Sequence, residues 1–173
     1  NKSLEEMKIK NKYFFDYSKS KYRSSHMDVY LIKRSSFFLV VGGSGPWIVA
    51  SFFNTPIGHI NWLHLKYLPT YCGKSIFIPK KIFDISKNKF LPFSNYLDPN
   101  YRISKISNLP LGLYTHNEEY ENEGIKLIDN SPIEIMKLAE EMNLLTNNKL
   151  NLDEEDIKLQ NIFWSIFKSD FPY

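Results

Sequence analysis

The sequence predicts an α/β domain built on a parallel sheet with helices against its faces, and three observations carry that expectation. Phe37-Phe38-Leu39-Val40-Val41 is an unbroken run of five strand-forming apolar residues, the pattern of a strand covered on both faces. Gly42-Gly43-Ser44-Gly45-Pro46 breaks that run abruptly, and Pro46 suits the first position of a short helix over residues 47–53. A second buried strand is predicted at 56–61. Strand, glycine-rich bend, helix and strand in that order make a βαβ unit, whose two strands run parallel.

The remaining elements follow in chain order. Residues 20–33 read as a helix with Met27, Tyr30 and Leu31 roughly on one face, ending near Arg34 and Ser35. The strand at 37–41 is expected to be central as well as parallel. Beyond Trp62 the pattern weakens: Ser75-Ile76-Phe77-Ile78 is a strand, and Pro79, Pro92, Pro99 and Pro110 punctuate loops. Glu118, Glu119, Glu121 and Glu123 mark residues 115–124 as a solvated acidic loop, and Ile125, Leu127 and Ile128 form a last short strand. Ser131, Pro132 and Glu134 then stand at N-cap, N1 and N3 of a helix, a capping box, and that helix continues through Met136, Ala139 and Met142. Asp153 caps the final helix, on which Ile157, Leu159, Ile162, Phe163, Ile166 and Phe167 draw a broad apolar stripe.

Composition bounds the function. A chain of 173 residues fits one domain, or one domain carrying a small appendage, and 43% hydrophobic with 24% charged residues is globular usage. The mean hydropathy of -0.35 and the lack of an eighteen-residue apolar run argue against a membrane-spanning protein, so any membrane contact is expected to be peripheral. A net charge of +3 is too mild to imply a nucleic-acid partner. Cys72 is the single cysteine, which excludes an internal disulfide and a cysteine-rich zinc site and fits a reducing, cytoplasmic compartment. The Lys-rich start has no signal-peptide core, and because the chain begins on Asn1 a preceding domain is expected to belong to the same protein.

The bend after the first strand is the leading site. The carboxyl end of a parallel strand opens onto the crevice where α/β sheets take ligands, and the start of the next helix favours anions. Gly43, Ser44, Gly45 and Pro46 would bring amides and a hydroxyl to phosphate oxygens, whereas a tight turn needing positive φ explains the glycines equally well. The bend matches neither the P-loop nor the dinucleotide fingerprint. Asn61 and Trp62, directly after the second strand, flank the same crevice; Trp62 is either a base-stacking ring or core. Arg23, His26 and Asp28 sit on the first helix, where solvent exposure is the default. Lys80 and Lys81 reach phosphates or are simply solvated. His59 and His64 lack a third metal ligand, so a hydrogen-bonded structural histidine is the expectation and no metal is predicted. No cofactor and no nucleophile with its base are visible, and the catalytic residues are not assigned.

In order along the chain, Tyr17-Ser18, Tyr22-Arg23-Ser24-Ser25, Met27 to Ile32, Phe37-Phe38 and Ser44-Gly45-Pro46 resemble the C-terminal part of a family of bacterial glycosyltransferases known from surface-polysaccharide gene clusters. Pro56, Asn61, Ile78-Pro79-Lys80-Lys81, Gly124-Ile125, Asp129 to Pro132, and Leu159-Gln160 to Phe163-Trp164 extend the resemblance over nearly the whole chain. It departs at Gly42-Gly43, where a small polar residue is expected second, and at Trp62-Leu63-His64, which replaces a Pro-rich stretch. The resemblance implies the two-domain GT-B architecture. This chain would be its Rossmann-like donor half, residues 1–173, with 153–173 packing toward an N-terminal half. It implies further that Ser44, Gly45 and Pro46 face the diphosphate of a nucleotide sugar, that a glycan is the acceptor, and that the other half supplies the base. A sugar-nucleotide epimerase of the same architecture and a non-catalytic binding module are the alternatives.

Overall fold

A computed structural model of the chain describes residues 11–42, 44–63, 73–92, 117–122 and 124–170. Among these residues it is a mixed α/β structure with two three-stranded sheets. The first sheet is parallel, with β1 (Phe38–Val41), β2 (Ile57–Trp62) and β3 (Ser75–Pro79) side by side in that order. Phe38 to Val41 pair with Ile57 to Ile60, and Ile57 to His59 pair with Ser75 to Phe77. The predicted βαβ unit is therefore present, closed by α2 (Pro46–Phe52) with Pro46 at its first turn. The order corrects one expectation: β1 lies at the edge of the described sheet and β2 is central. An unbroken apolar run reports cover on both faces, not a neighbour on both sides.

Both faces are covered. Alternate residues of β1 divide between two cores, Val40 with Ile32, Ala50 and Ile57 on one side, and Leu39 with Ile60, Leu138 and Met142 on the other. The first core holds α1 (Ser25–Arg34) and α2; the second lies under the long helix at Pro132–Thr146. Gly58 lets that helix approach, since a Cβ there would meet Leu39 Cδ2 at 2.5 Å and Met142 Cγ at 3.2 Å. The α1 reading needs two corrections. Its N-cap is Ser24, whose hydroxyl accepts from the Met27 amide, so Ser20 to Ser24 precede the helix and include a link from a 3-10 turn at Tyr17–Lys19. Ile32 is its buried residue, while Tyr30 and Leu31 are exposed.

Of the second sheet only the strand at Ile125–Ile128 was predicted; the other two strands went unseen in the sequence. After β3 a single residue, Lys80, intervenes before β4 (Lys81–Asp84), which pairs antiparallel with β5 (Lys89–Phe90) and β6 (Ile125–Ile128). Prolines at 79 and 92 flank these strands without interrupting their ladders. Asp84 closes the β4–β5 turn: it accepts from Ser86 Oγ at 2.6 Å and from the amide and ammonium of Lys87. Those bonds, the Ser86 hydroxyl first, hold its carboxyl well below the usual range. The acidic segment near Gly124 is also corrected, because Asn117–Asn122 form a short helix, α3, and Tyr120 is buried with Ile82, Leu91 and Ile125.

The capping box is present as predicted. Ser131 and Glu134 exchange hydrogen bonds at the start of α4 (Pro132–Thr146), and Lys81 adds an ion pair that, with Ser131, brings the Glu134 carboxyl down to about 2. Asp153 accepts from the Asp156 amide at the start of α5 (Glu154–Asp170). α5 meets the parallel sheet through Phe163 on Phe77, 5.6 Å between ring centres, while Ile157, Leu159 and Ile162 are exposed.

One polar clasp joins the two sheets. Asn61 sits at φ 55, a left-handed conformation that asparagine tolerates better than most residues, and the β2–β3 register shifts beside it. Its amide donates to Asn130 Oδ1 at 2.7 Å, the Asn130 amide donates to Asn61 Oδ1 at 2.6 Å, and Asn130 Nδ2 donates to the Pro79 carbonyl at 2.8 Å. Asn130→Ala deprives the half-buried Asn61 amide and the Pro79 carbonyl of their partners, so it is expected to cost about 1–3 kcal/mol. Urea unfolding of both proteins measures that loss, and a change under about 0.5 kcal/mol, the range of an ordinary surface substitution, would show the clasp to be dispensable.

Candidate functional site

The bend between β1 and α2 lies at the carboxyl end of the parallel sheet, with the Asn61 clasp and Lys80 on the same edge. The Gly42 amide donates to the Ile60 carbonyl at 2.8 Å, and the Ser44 amide turns back to Val41. Gly42 is explained by crowding, since a Cβ would lie 3.1 Å from the Asn61 carbonyl oxygen and 3.3 Å from Trp62 Cα. Gly43 lies outside the described residues. Gly45 is another matter: its φ of -54 is available to any residue, and nothing stands within 4 Å of the position of a Cβ. Positive φ therefore does not account for the glycines at 42 and 45. Gly45 and Pro46 are exposed and Ser44 is half-buried, so the bend is open to solvent.

Its donors are few. Pro46 has no amide hydrogen, and the Ile48 amide already bonds the Gly45 carbonyl. Among the described residues of the bend, the donors without a partner are the Gly45 amide and the Ser44 hydroxyl. The two lysines on this edge are paired rather than simply solvated: Lys80 Nζ is 2.8 Å from Asp129, and Lys81 Nζ is 2.7 Å from Glu134. Lys80 is the more enclosed, with 21% of its side chain exposed, and its amide holds the Trp62 carbonyl.

The other predicted residues divide. Trp62 is buried, edge-on to His59 at 4.8 Å and to Trp47 at 6.4 Å between centres, so its ring belongs to the core and is not open to a base. Asn61 uses its side-chain oxygen in the clasp. Arg23 stands before α1, not on it, and donates to the Ser18 carbonyl at 3.3 Å; Asp28 accepts from the Tyr17 hydroxyl at 2.7 Å; His26 is exposed. Thr55, at the entry to β2, donates to the Ile32 carbonyl in the last turn of α1. Asp129 and Asn130 complete the site, Asn130 from 69 residues beyond Asn61. In sequence they read only as a helix start. His64 and Cys72 lie outside the described residues, and among those described no three His, Cys, Asp or Glu side chains gather as a metal site.

His59 departs from the expectation of a hydrogen-bonded histidine. It is 1% exposed in the central strand, boxed by Trp47 and Trp62, and neither ring nitrogen has a hydrogen-bond partner. Burial alone pushes its pKa down to about 4.

No protein-family model, curated protein or solved structure matches the chain.

The neutral His59 couples stability to pH. Above about 6.5 neither the folded nor the unfolded chain protonates it, and below that value the unfolded chain takes up a proton that the folded one refuses until about 4. Stability should fall by about 1.4 kcal/mol per pH unit across that window. His59→Leu should remove the slope between pH 6.5 and 5, measured by denaturant unfolding at each pH. An unchanged slope would assign it to other groups.

Proposed function

We propose that this chain is the donor-binding half of a glycosyltransferase of the GT-B kind, taking a nucleotide-diphosphate sugar at the carboxyl edge of its parallel sheet for transfer to a glycan acceptor. The observation that carries the reading is Gly45: it is neither bent into a conformation that needs glycine nor crowded by its own protein. Gly45 stands at the N-cap of α2, which tolerates glycine, and close approach of a ligand to the backbone adds a reason for a residue without a side chain. The resemblance of Ser44-Gly45-Pro46 to the family's diphosphate-facing turn points to the same ligand.

The chemistry asked of the site is electrostatic. In transfer, the acceptor oxygen bonds to the sugar's anomeric carbon, the bond to the diphosphate oxygen breaks, and its electron pair leaves with the nucleotide. The Gly45 amide and the Ser44 hydroxyl would stabilise that growing charge, and Lys80 would do so by exchanging Asp129 for phosphate. The acceptor's proton goes to a base outside this half, so this chain binds the donor without turning it over.

Titration calorimetry with UDP, GDP, ADP, CDP and dTDP tests the assignment. One of them should bind, and Ser44→Ala should weaken it about tenfold, as loss of one bond to a charged group does. Gly45→Leu should abolish binding with little change in the unliganded melting temperature, because the added side chain meets open space. Equal binding by all three proteins would move the phosphate elsewhere. If no diphosphate binds, a binding module that never handles nucleotides takes the place of the transferase.

A further inference from the structure

We propose that residues 11–34 form a docking surface for an anionic lipid bilayer, independent of the nucleotide reading. The charge of the chain is segregated there. Lys12, Lys19, Lys21, Arg23, Lys33 and Arg34 stand against Asp16 and Asp28, a net +4; the rest of the chain, with 16 basic and 17 acidic residues, carries -1. Neither acid is spare, because Asp16 accepts from the amide and hydroxyl of Ser18 and Asp28 from the hydroxyl of Tyr17. The segment therefore faces solvent with its cations and with aromatic rings that no core covers: Tyr13 is 84% exposed, Phe15 65%, Tyr22 58% and Tyr30 56%. A basic surface studded with Tyr and Phe suits the interface of a bilayer, where rings lodge at the headgroup level and lysines meet lipid phosphates.

The segment is also held in shape before any partner arrives. Asp16 caps the turn at Tyr17–Lys19, the Tyr17 hydroxyl bonds both Asp28 and the backbone of Ser24, and the Arg23 guanidinium reaches back to Ser18. A preorganised surface loses little entropy on docking. Single-stranded nucleic acid would be the other anionic partner with an appetite for aromatic rings, but it needs open ring faces on which to stack bases. Here Lys12 Nζ stands 4.8 Å over the centre of the Tyr13 ring and Lys21 Nζ 5.2 Å over that of Tyr22. Those faces are already occupied by cations, a pairing that can settle at a membrane interface as a unit.

Flotation of the full chain with vesicles of phosphatidylcholine alone, or with about one third phosphatidylglycerol, tests the proposal against binding of a single-stranded oligonucleotide. The chain should float with the anionic vesicles and not with the neutral ones, and about 0.5 M salt should weaken binding severalfold, since screening shortens the reach of the charges. Lys19→Glu with Lys21→Glu should lose binding tenfold or more, and Tyr13→Ser with Phe15→Ser several-fold. All four sites are exposed, so both variants should keep the wild-type melting temperature. Equal flotation with both vesicle types, wild-type binding by the charge-reversed variant, or tighter binding to the oligonucleotide than to vesicles would each overturn the proposal.

Discussion

The Asn61–Asn130 clasp is the constraint on which the arrangement of the carboxyl edge depends. The side chains of buried Asn130 and half-buried Asn61 satisfy each other's backbone, and Asn130 also takes up the Pro79 carbonyl, so the end of β2, the end of β3 and the entry to α4 are fixed at one point. Buried polar groups of this kind are costly unless fully matched, and a matched set tolerates one geometry. That geometry orders the rest of the edge. It sets the bulge that turns Trp62 under the bend, brings Asp129 to Lys80, and starts α4 where its capping box can meet Lys81.

Beneath that edge the chain accepts an opposite compromise. His59 occupies the central strand with both ring nitrogens unmatched, and the tryptophans around it give contact without hydrogen bonds. A neutral imidazole is the form such a box can hold, because a charge there would be desolvated with nothing to offset it. The open bend and the closed aromatic box meet where Gly42 lies against Trp62, with no room there for a Cβ.

The surface is divided by charge and by apolar exposure rather than uniform. The basic, aromatic segment before and along α1 lies at one end of the sequence, and at the other the acidic start of α5 carries Ile157, Leu159 and Ile162 into solvent. Near that acidic start, burial raises the pKa of Glu141 and the neighbouring Asp156 raises it further. No helix among the described residues is long and apolar enough to cross a membrane.

Local chemistry was enough to set the class of the fold and several of its boundaries. The apolar run at 37–41, the break at Gly42 and the proline at 46 specify strand, bend and helix through steric and hydrogen-bonding rules that act within a few residues, and the Ser131–Glu134 box is equally local. Tertiary structure alone decided what depends on partners far along the chain. β4 and β5 are four and two residues long, and β4 finds its other neighbour in β6, some forty residues away, so no local pattern marked them. The strand order, the burial of Trp62 and Tyr120, and the pairing of Lys80 with Asp129 and of Asn61 with Asn130 have the same origin. A hydrogen bond or a packed ring is an agreement between two residues, and one sequence records only one side of it at a time.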